Sequence, residues 1–272
     1  MVALILLLAL QARAAQPRVI APSEWGSRPG DMSGIARQPH PEWITIHHAG
    51  ELWTDARDAV RFVCDLQRWG KIPFDPAHPE RTAPRREVWP DLPYHFLIAP
   101  DGRIFAGRPV EYVPQTNTPD YQVAGNINVE LMGDFERQRP GREQLEATVW
   151  LAAKLSREYG IPVERVRGHM DAAGGRQVTD CPGRDVHRYF EDGRFRRWVS
   201  EQVERGRADV VPGAPLPQGP TAPIPTRLGG GRRPLERCPD APEHLESQAL
   251  FQLRMMDGRA GFLPEPVSGG RP

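Results

Sequence analysis

The sequence predicts an α/β fold: a single domain with a central mixed β-sheet flanked by helices, plus a Pro/Gly-rich C-terminal tail. Three observations predict it. Two apolar runs, "WITIHH" at 43–48 and "INVELMGDF" at 127–135, read as buried strands. Long segments between and after them repeat apolar residues at intervals of three and four, the helical period. Beyond about Asp209 the chain changes to "VPGAPLPQGPTAPIPTRLGGGRRP", which has too little apolar material to bury a core.

The elements follow in order. "MVALILLLALQARAAQ" holds an apolar run, Val2 to Leu10, followed by the small-x-small pattern "ARA". It reads as a signal peptide over 1–15, cut near Ala14 or Ala15, although no Lys or Arg precedes the run. The run is too short to span a bilayer. The folded domain is expected over 16–205 and the tail, mostly disordered, over 206–272. "APSEWGSRP" is a loop, and "EWITIHH" is the first clear strand. In "WTDARDAVRFVCDLQRWG", Ala56, Ala59, Val60, Val63 and Leu66 form a helical stripe, with Thr54 or Asp55 as cap and Gly70 as stop. Residues 71–91 carry five prolines and form a long loop. In "YHFLIAPDGRIFAGRP" two apolar runs flank "PDG", a hairpin signal. "GREQLEATVWLAAKLSREYGIP" is the clearest helix, with Leu145, Val149, Ala152, Leu155 and Tyr159 on one face and Gly160 ending it. "VERVRGHMD" is a short strand running into a loop, and "GRDVHRYFEDGRFRRWVSEQVERG" is a closing helix interrupted at Gly193. One short helix is expected within 240–262.

The charge balance, 35 basic against 35 acidic residues, gives no sign of a nucleic-acid footprint, which needs a clustered basic excess. The three cysteines, Cys64, Cys181 and Cys238, are an odd number. Cys64 and Cys238 are left over if Cys181 has another task. The composition around Cys238 reads as disordered, which argues against their pairing.

Three side-chain positions suit a zinc site. One of His47 and His48 ends a strand and faces the site; alternation turns the other away. His169 ends the "VERVRG" strand, and Cys181 lies in the turn "DCPG". Two imidazoles and a thiolate leave zinc an open position, as catalytic sites require. The competing reading is two hydrogen-bonded core histidines and a small buried cysteine. Strand ends of α/β sheets, where ligands collect, favour the site.

Five segments occur in the order found in one known family: "EWGSRP" at 24–29, "ITIHHAG" at 44–50, "YHFLIAPDGRIFAGRP" at 94–109, "INVELMGDF" at 127–135 and "RGHMDAAGGRQVTDCPG" at 167–183. On these pieces, over roughly residues 20–200, the chain resembles the zinc-dependent N-acetylmuramoyl-L-alanine amidases of the amidase/peptidoglycan-recognition-protein family, which includes phage amidase-type lysozymes. The resemblance implies a Zn2+ cofactor held by His47, His169 and Cys181. It implies that Tyr94 stands beside the attacking water and that Glu130, on a strand otherwise apolar, is the general base. Thr179 takes the place where several catalytic members carry lysine; its hydroxyl can donate to an oxyanion, without the charge. Three features depart from the pattern: an insertion around "GGRQ", a segment "QTNTPDYQVAGN" without the usual histidine-glycine, and the longer loop at 71–91.

The implied activity is that of an exported protein, in the periplasm or outside the cell, which hydrolyses the amide between N-acetylmuramic acid and L-alanine of a peptidoglycan or muropeptide substrate. The implied partners include no nucleic acid and no membrane span after signal cleavage. Two alternatives remain at this level. One is a non-catalytic peptidoglycan-binding module of the same fold. The other is a structural zinc site with a fourth ligand from Asp171 or Asp180. His48 and His95 are expected to point away from the metal, Asp171 to orient a ligand or cap a loop, and Trp25 and Trp43 to lie in the core. The arginines at 81–87 read as a solvated basic loop, or as a contact for anionic wall polymer.

Overall fold

The computed structural model describes residues 17–82, 85, 87–116 and 120–239. The leader and the helix expected within 240–262 lie outside them. Six strands form one sheet: β1 (Val19–Ile20), β2 (Trp43–His48), β3 (Phe96–Ile98), β4 (Ile104–Ala106), β5 (Asn126–Leu131) and β6 (Val166–Gly168). Their order is β1-β4-β3-β5-β2-β6. The β3–β4 hairpin is antiparallel, while β3–β5, β5–β2 and β2–β6 are parallel, so the sheet is mixed as the sequence predicts. Among the described residues six α-helices accompany it: α1 (Pro22–Trp25), α2 (Ala59–Gly70), α3 (Arg142–Tyr159), α4 (His169–Ala173), α5 (Arg184–Glu191) and α6 (Arg194–Arg205). No helix among the described residues is long and apolar enough to cross a membrane.

The register of the central strands sorts their side chains by polarity. Trp43 pairs with Asn126, Thr45 with Asn128 and His47 with Glu130. Alternation puts these six on one face and Ile44, Ile46, Ile127, Val129 and Leu131 on the other. Glu130 therefore does not stand alone on an apolar strand; Asn126 and Asn128 share its face. Buried polar groups need partners. The Thr45 hydroxyl donates to Asn126 Oδ1 (2.7 Å), and Arg167 on β6 donates to the same oxygen (3.2 Å).

α3 covers the core with Leu145, Val149, Ala152 and Leu155, all buried, while Tyr159 at the stripe's end is exposed. The Gln144 amide donates to the carbonyls of Ile98 and Met132, each at 3.0 Å, and so joins the helix to two strand ends. Gly160 stops it in the left-handed conformation, φ 66°. α2 starts later than the apolar stripe predicts. Asp58 is its cap, accepting from Arg61 N–H at 2.9 Å, and the Thr54–Arg57 segment is a turn. The closing helix is two, α5 and α6, broken at Gly193 as the sequence predicts. His169 opens the five-residue helix α4 rather than a loop.

Two basic or aromatic expectations change. Trp25 is fully buried, but Trp43 is half-buried and carries the Arg167 guanidinium 4.0 Å above its ring. Arg85 is no solvated charge: it is buried between Trp69 and Trp89 and donates to the carbonyls of Trp69, Ile72 and Glu87. It closes the 71–91 loop onto the end of α2.

The chain after α6 also differs from its composition. Residues 206–239 run as an irregular strap against the domain, with Val210, Ile224 and Cys238 buried. Arg188 donates to the carbonyls of Ala214 and Gly213, Leu235 N–H donates to Asp58, and Cys64 of α2 forms a disulfide with Cys238. Few apolar anchors, spaced widely, suffice because backbone polar groups of the strap meet side chains of the domain.

The disulfide closes a loop across 174 positions. Cys238→Ser is expected to lower the unfolding free energy by about 2–4 kcal/mol in urea titration, with a matching loss when the parent chain is reduced. Equal midpoints for oxidised and reduced chain would contradict a stabilising strap. His95, pointing away from the site as alternation predicts, joins Asn128 N–H and Tyr112 C=O (2.9 and 3.0 Å). Burial holds its pKa at about 4, below the ordinary 6.5. The native state then binds fewer protons than the unfolded chain, so stability is full above pH 6.5 and falls as pH drops toward 4. The loss is roughly 3 kcal/mol. His95→Gln should remove about one proton from that slope, measured by denaturation across pH.

Candidate metal centre and active site

The C-terminal ends of three parallel strands build the site. β2 ends in His47 and His48, β5 carries Glu130 beside His47, and β6 runs directly into His169. Cys181 arrives from the turn before α5, in a cis Cys181–Pro182 unit. The turn is held close by glycine. Gly183 has φ +84°, and a Cβ there would lie 2.5 Å from the carbonyl carbon of Phe135. A Cβ on Gly168 would press on His187 and Pro182, each at 3.2 Å.

His47, His169 and Cys181 meet: one ligand atom from each lies within 4.8 Å of the others, and all three residues are buried. The longer His169–Cys181 interval therefore does not separate the pair. The insertion sits in the turn after α4, and Met170 N–H donates to Cys181 C=O at 2.8 Å to close it. Cys181 Sγ lies 3.6 Å from His47 Nδ1 and accepts from His48 N–H at 3.3 Å.

The donor set fits zinc. His169 Nδ1 is buried with no hydrogen-bond partner among the described residues. Burial, with His169 nearby, pushes the His47 pKa down and favours neutral imidazole, the ligating form. Burial pushes the Cys181 thiol up, against the His48 N–H hydrogen bond; a divalent cation would reverse that and hold the thiolate. His47, His169 and Cys181 are thus the residues that would hold the metal. The group contains no fourth protein ligand among the described residues. Asp171 instead caps α4, accepting from Gly168 N–H at 2.9 Å and pairing with His187 at 2.8 Å. Burial works to raise its pKa, but the His187 and Gly168 hydrogen bonds prevail and hold it below the ordinary value.

A cavity of about 150 Å³ opens at His47, His169 and Cys181. Tyr94, Glu130, Thr179 and Asp180 line it on the polar side, Phe62, Leu66, Trp89 and Pro93 on the apolar side. Glu130 is 1 % exposed; burial, reinforced by Glu51, raises its pKa well above the ordinary carboxylate value. The Tyr94 ring is half-buried, 5.3 Å from the His47 ring. Thr179 Oγ1 accepts from Cys181 N–H at 3.2 Å, so it shapes the ligand turn as well as lining the cavity. His48 lines the rim but is no member of the ligand group; its Nδ1 accepts from Phe135 N–H at 3.2 Å.

Sequence reading missed two residues. The Nε2 atoms of His169 and His47 lie 3.1 Å from Asp120 Oδ1 and Tyr121 Oη, and Asn128 Nδ2 donates to Tyr121 Oη at 2.8 Å. Their signal was weak. "TPDYQ" is an ordinary turn composition, and only the polar alternation of β5, Asn126-x-Asn128-x-Glu130, pointed to something polar above it.

Known proteins resemble the chain. "Peptidoglycan recognition protein 1" of Bos indicus is 25% identical over 189 residues, 69% of this chain and 90% of the relative. "Peptidoglycan-recognition protein LB" of Drosophila melanogaster is 27% identical over 177 residues, 62% of this chain and 66% of the relative. Among solved structures, Drosophila peptidoglycan recognition protein SD aligns at TM-score 0.48 and 20% identity, covering 65% of this chain and 94% of that one. The N-acetylmuramoyl-L-alanine amidase LysC from Clostridium intestinale URNW aligns at TM-score 0.43 and 21% identity, covering 65% and 95%. The family profile described as N-acetylmuramoyl-L-alanine amidase (Amidase_2) matches residues 37–184, more than half of the chain. That span contains all three candidate ligands together with Tyr94, Glu130 and Thr179, and the chain belongs to the N-acetylmuramoyl-L-alanine amidase (Amidase_2) family.

Proposed function

We propose that this chain is an exported zinc-dependent amidase that hydrolyses the bond between N-acetylmuramic acid and L-alanine in peptidoglycan. The observation that carries the reading is the meeting of His47, His169 and Cys181 within 4.8 Å, in a cavity where Glu130 stands beside His47. The family match supports the substrate class. The Cys64–Cys238 disulfide supports export, since such bonds persist in oxidising compartments.

An amide resists water because its carbonyl carbon is weakly electrophilic and its nitrogen leaves badly. Bound by the three ligands, zinc would polarise the carbonyl and lower the pKa of the attacking water. Glu130 takes the proton from that water as its oxygen bonds to carbon. It returns the proton to nitrogen as the C–N bond breaks, giving a free alanine amine and a lactyl carboxylic acid, which loses its own proton to solvent. The Tyr94 hydroxyl donates to the oxygen that gains charge. Thr179 holds the Cys181 turn and offers a second, uncharged donor at the cavity wall.

One observation favours a second reading, a non-catalytic peptidoglycan-binding module. No Lys or Arg lines the cavity among the described residues, so oxyanion charge meets no cationic side chain. Digestion of purified peptidoglycan separates the two. The enzyme releases stem peptides with free N-terminal alanine, identified by mass, and a chelator stops release; intact muropeptides after prolonged digestion would leave the binding module.

Two variants probe the roles. Cys181→Ala should lose zinc and activity together, measured by metal content and product release. Glu130→Gln should keep zinc and lose about 10²–10⁴-fold in kcat. Full activity in Glu130→Gln would transfer the leading role to Tyr94.

A further inference from the structure

Asp120 and Tyr121 are neighbours in sequence, yet each meets a different histidine from a different strand end. An imidazole that gives one nitrogen to a metal carries its proton on the other, and the partner of that second nitrogen sets ring orientation and tautomer. Both second nitrogens are Nε2 here. A carboxylate accepts and does not donate. Asp120 Oδ1, 3.1 Å from His169 Nε2, therefore keeps the proton of the neutral ring on Nε2. That leaves Nδ1 as the bare lone pair, and Nδ1 is the atom found buried and without a partner. The two observations are independent and agree.

At His47 the partner is a hydroxyl, which can act either way. The Asn128 amide donates to Tyr121 Oη and occupies one lone pair, leaving a second for an N–H from His47 Nε2. In that arrangement Nδ1 of His47, 3.6 Å from Cys181 Sγ, is the ligating atom. The Tyr121 ring also packs beside both imidazoles, with centroids 4.8 Å from His169 and 5.9 Å from His47. Asn128 in turn sits on β5 in register with Thr45 of β2, so the relay is anchored on the sheet.

We infer that Asp120 and Tyr121 are positioning residues, which fix both imidazoles with Nδ1 toward Cys181 and so set the affinity of the metal centre. The inference rests on the zinc reading above. Partners of this kind are generally worth about 10–100-fold in metal affinity.

Zinc titration against a competing chelator tests it, on the full metal-free chain, beside the urea unfolding midpoint of the same samples. Asp120→Ala should weaken zinc by about 10–100-fold. Asp120→Asn, whose amide oxygen still accepts from Nε2–H, should recover part of that loss. Tyr121→Phe, which keeps the ring and loses the hydroxyl, should weaken zinc by about tenfold. Unfolding midpoints of the metal-free variants should match the parent. Parent affinity in Asp120→Ala and Tyr121→Phe would overturn the inference while leaving the zinc reading standing. Lowered metal-free midpoints that account for the affinity loss, with no recovery in Asp120→Asn, would reduce both residues to a structural role. A parent chain that takes up no zinc would overturn the zinc reading itself, and this inference with it.

Discussion

The parallel register of β5, β2 and β6 is the constraint on which the site depends. It sets His47 opposite Glu130 and brings Gly168 level with Ile46, so that His169 emerges one residue beyond the strand, next to His47. A one-residue slip of β2 would send His47 to the apolar face and His48 to the polar one. Two devices pin the register. On one face Ile44, Ile46, Ile127, Val129 and Leu131 are buried, so any slip exposes or mispairs the core. On the other, the Thr45 hydroxyl of β2 and the Arg167 guanidinium of β6 both donate to Asn126 Oδ1 of β5, contacts that a slip would break.

The polar face explains much of what surrounds it. A sheet face that buries asparagine, histidine and glutamate must be covered by chain that supplies partners. The segment carrying Asp120 and Tyr121 does so, and Asn126 Nδ2 donates to Gln122 C=O there at 2.8 Å. The same burial that demands these partners shifts the titrating groups. Glu130 is pushed up and His47 down, each by desolvation first. The raised carboxyl of Glu130 and the lowered imidazole of His47 come from one cause.

Much of this was legible in the sequence, for physical reasons. Strand and helix periods, the Gly160 stop and the Gly193 break are local signals, and the structure follows them. His47, His169 and Cys181 were legible as candidate ligands through residue chemistry and the family motifs, and the three side chains meet. What escaped depends on contacts between distant segments. Cys238 lies among prolines and glycines, and nothing local says that its backbone N–H meets Trp25 C=O or that its sulfur meets Cys64. Arg85 reads as solvated until two tryptophans are seen around it. Asp120 and Tyr121 read as turn residues because their partners lie about fifty and seventy positions away.

The central claim is that two imidazoles and one thiolate of this chain form an open zinc centre. X-ray absorption at the zinc edge of the loaded protein reads that claim most directly. The account predicts one sulfur at about 2.3 Å, two imidazole nitrogens at about 2.0 Å and a remaining light-atom ligand that a small anion displaces. A shell without sulfur, or a fourth protein ligand that no anion displaces, would contradict it.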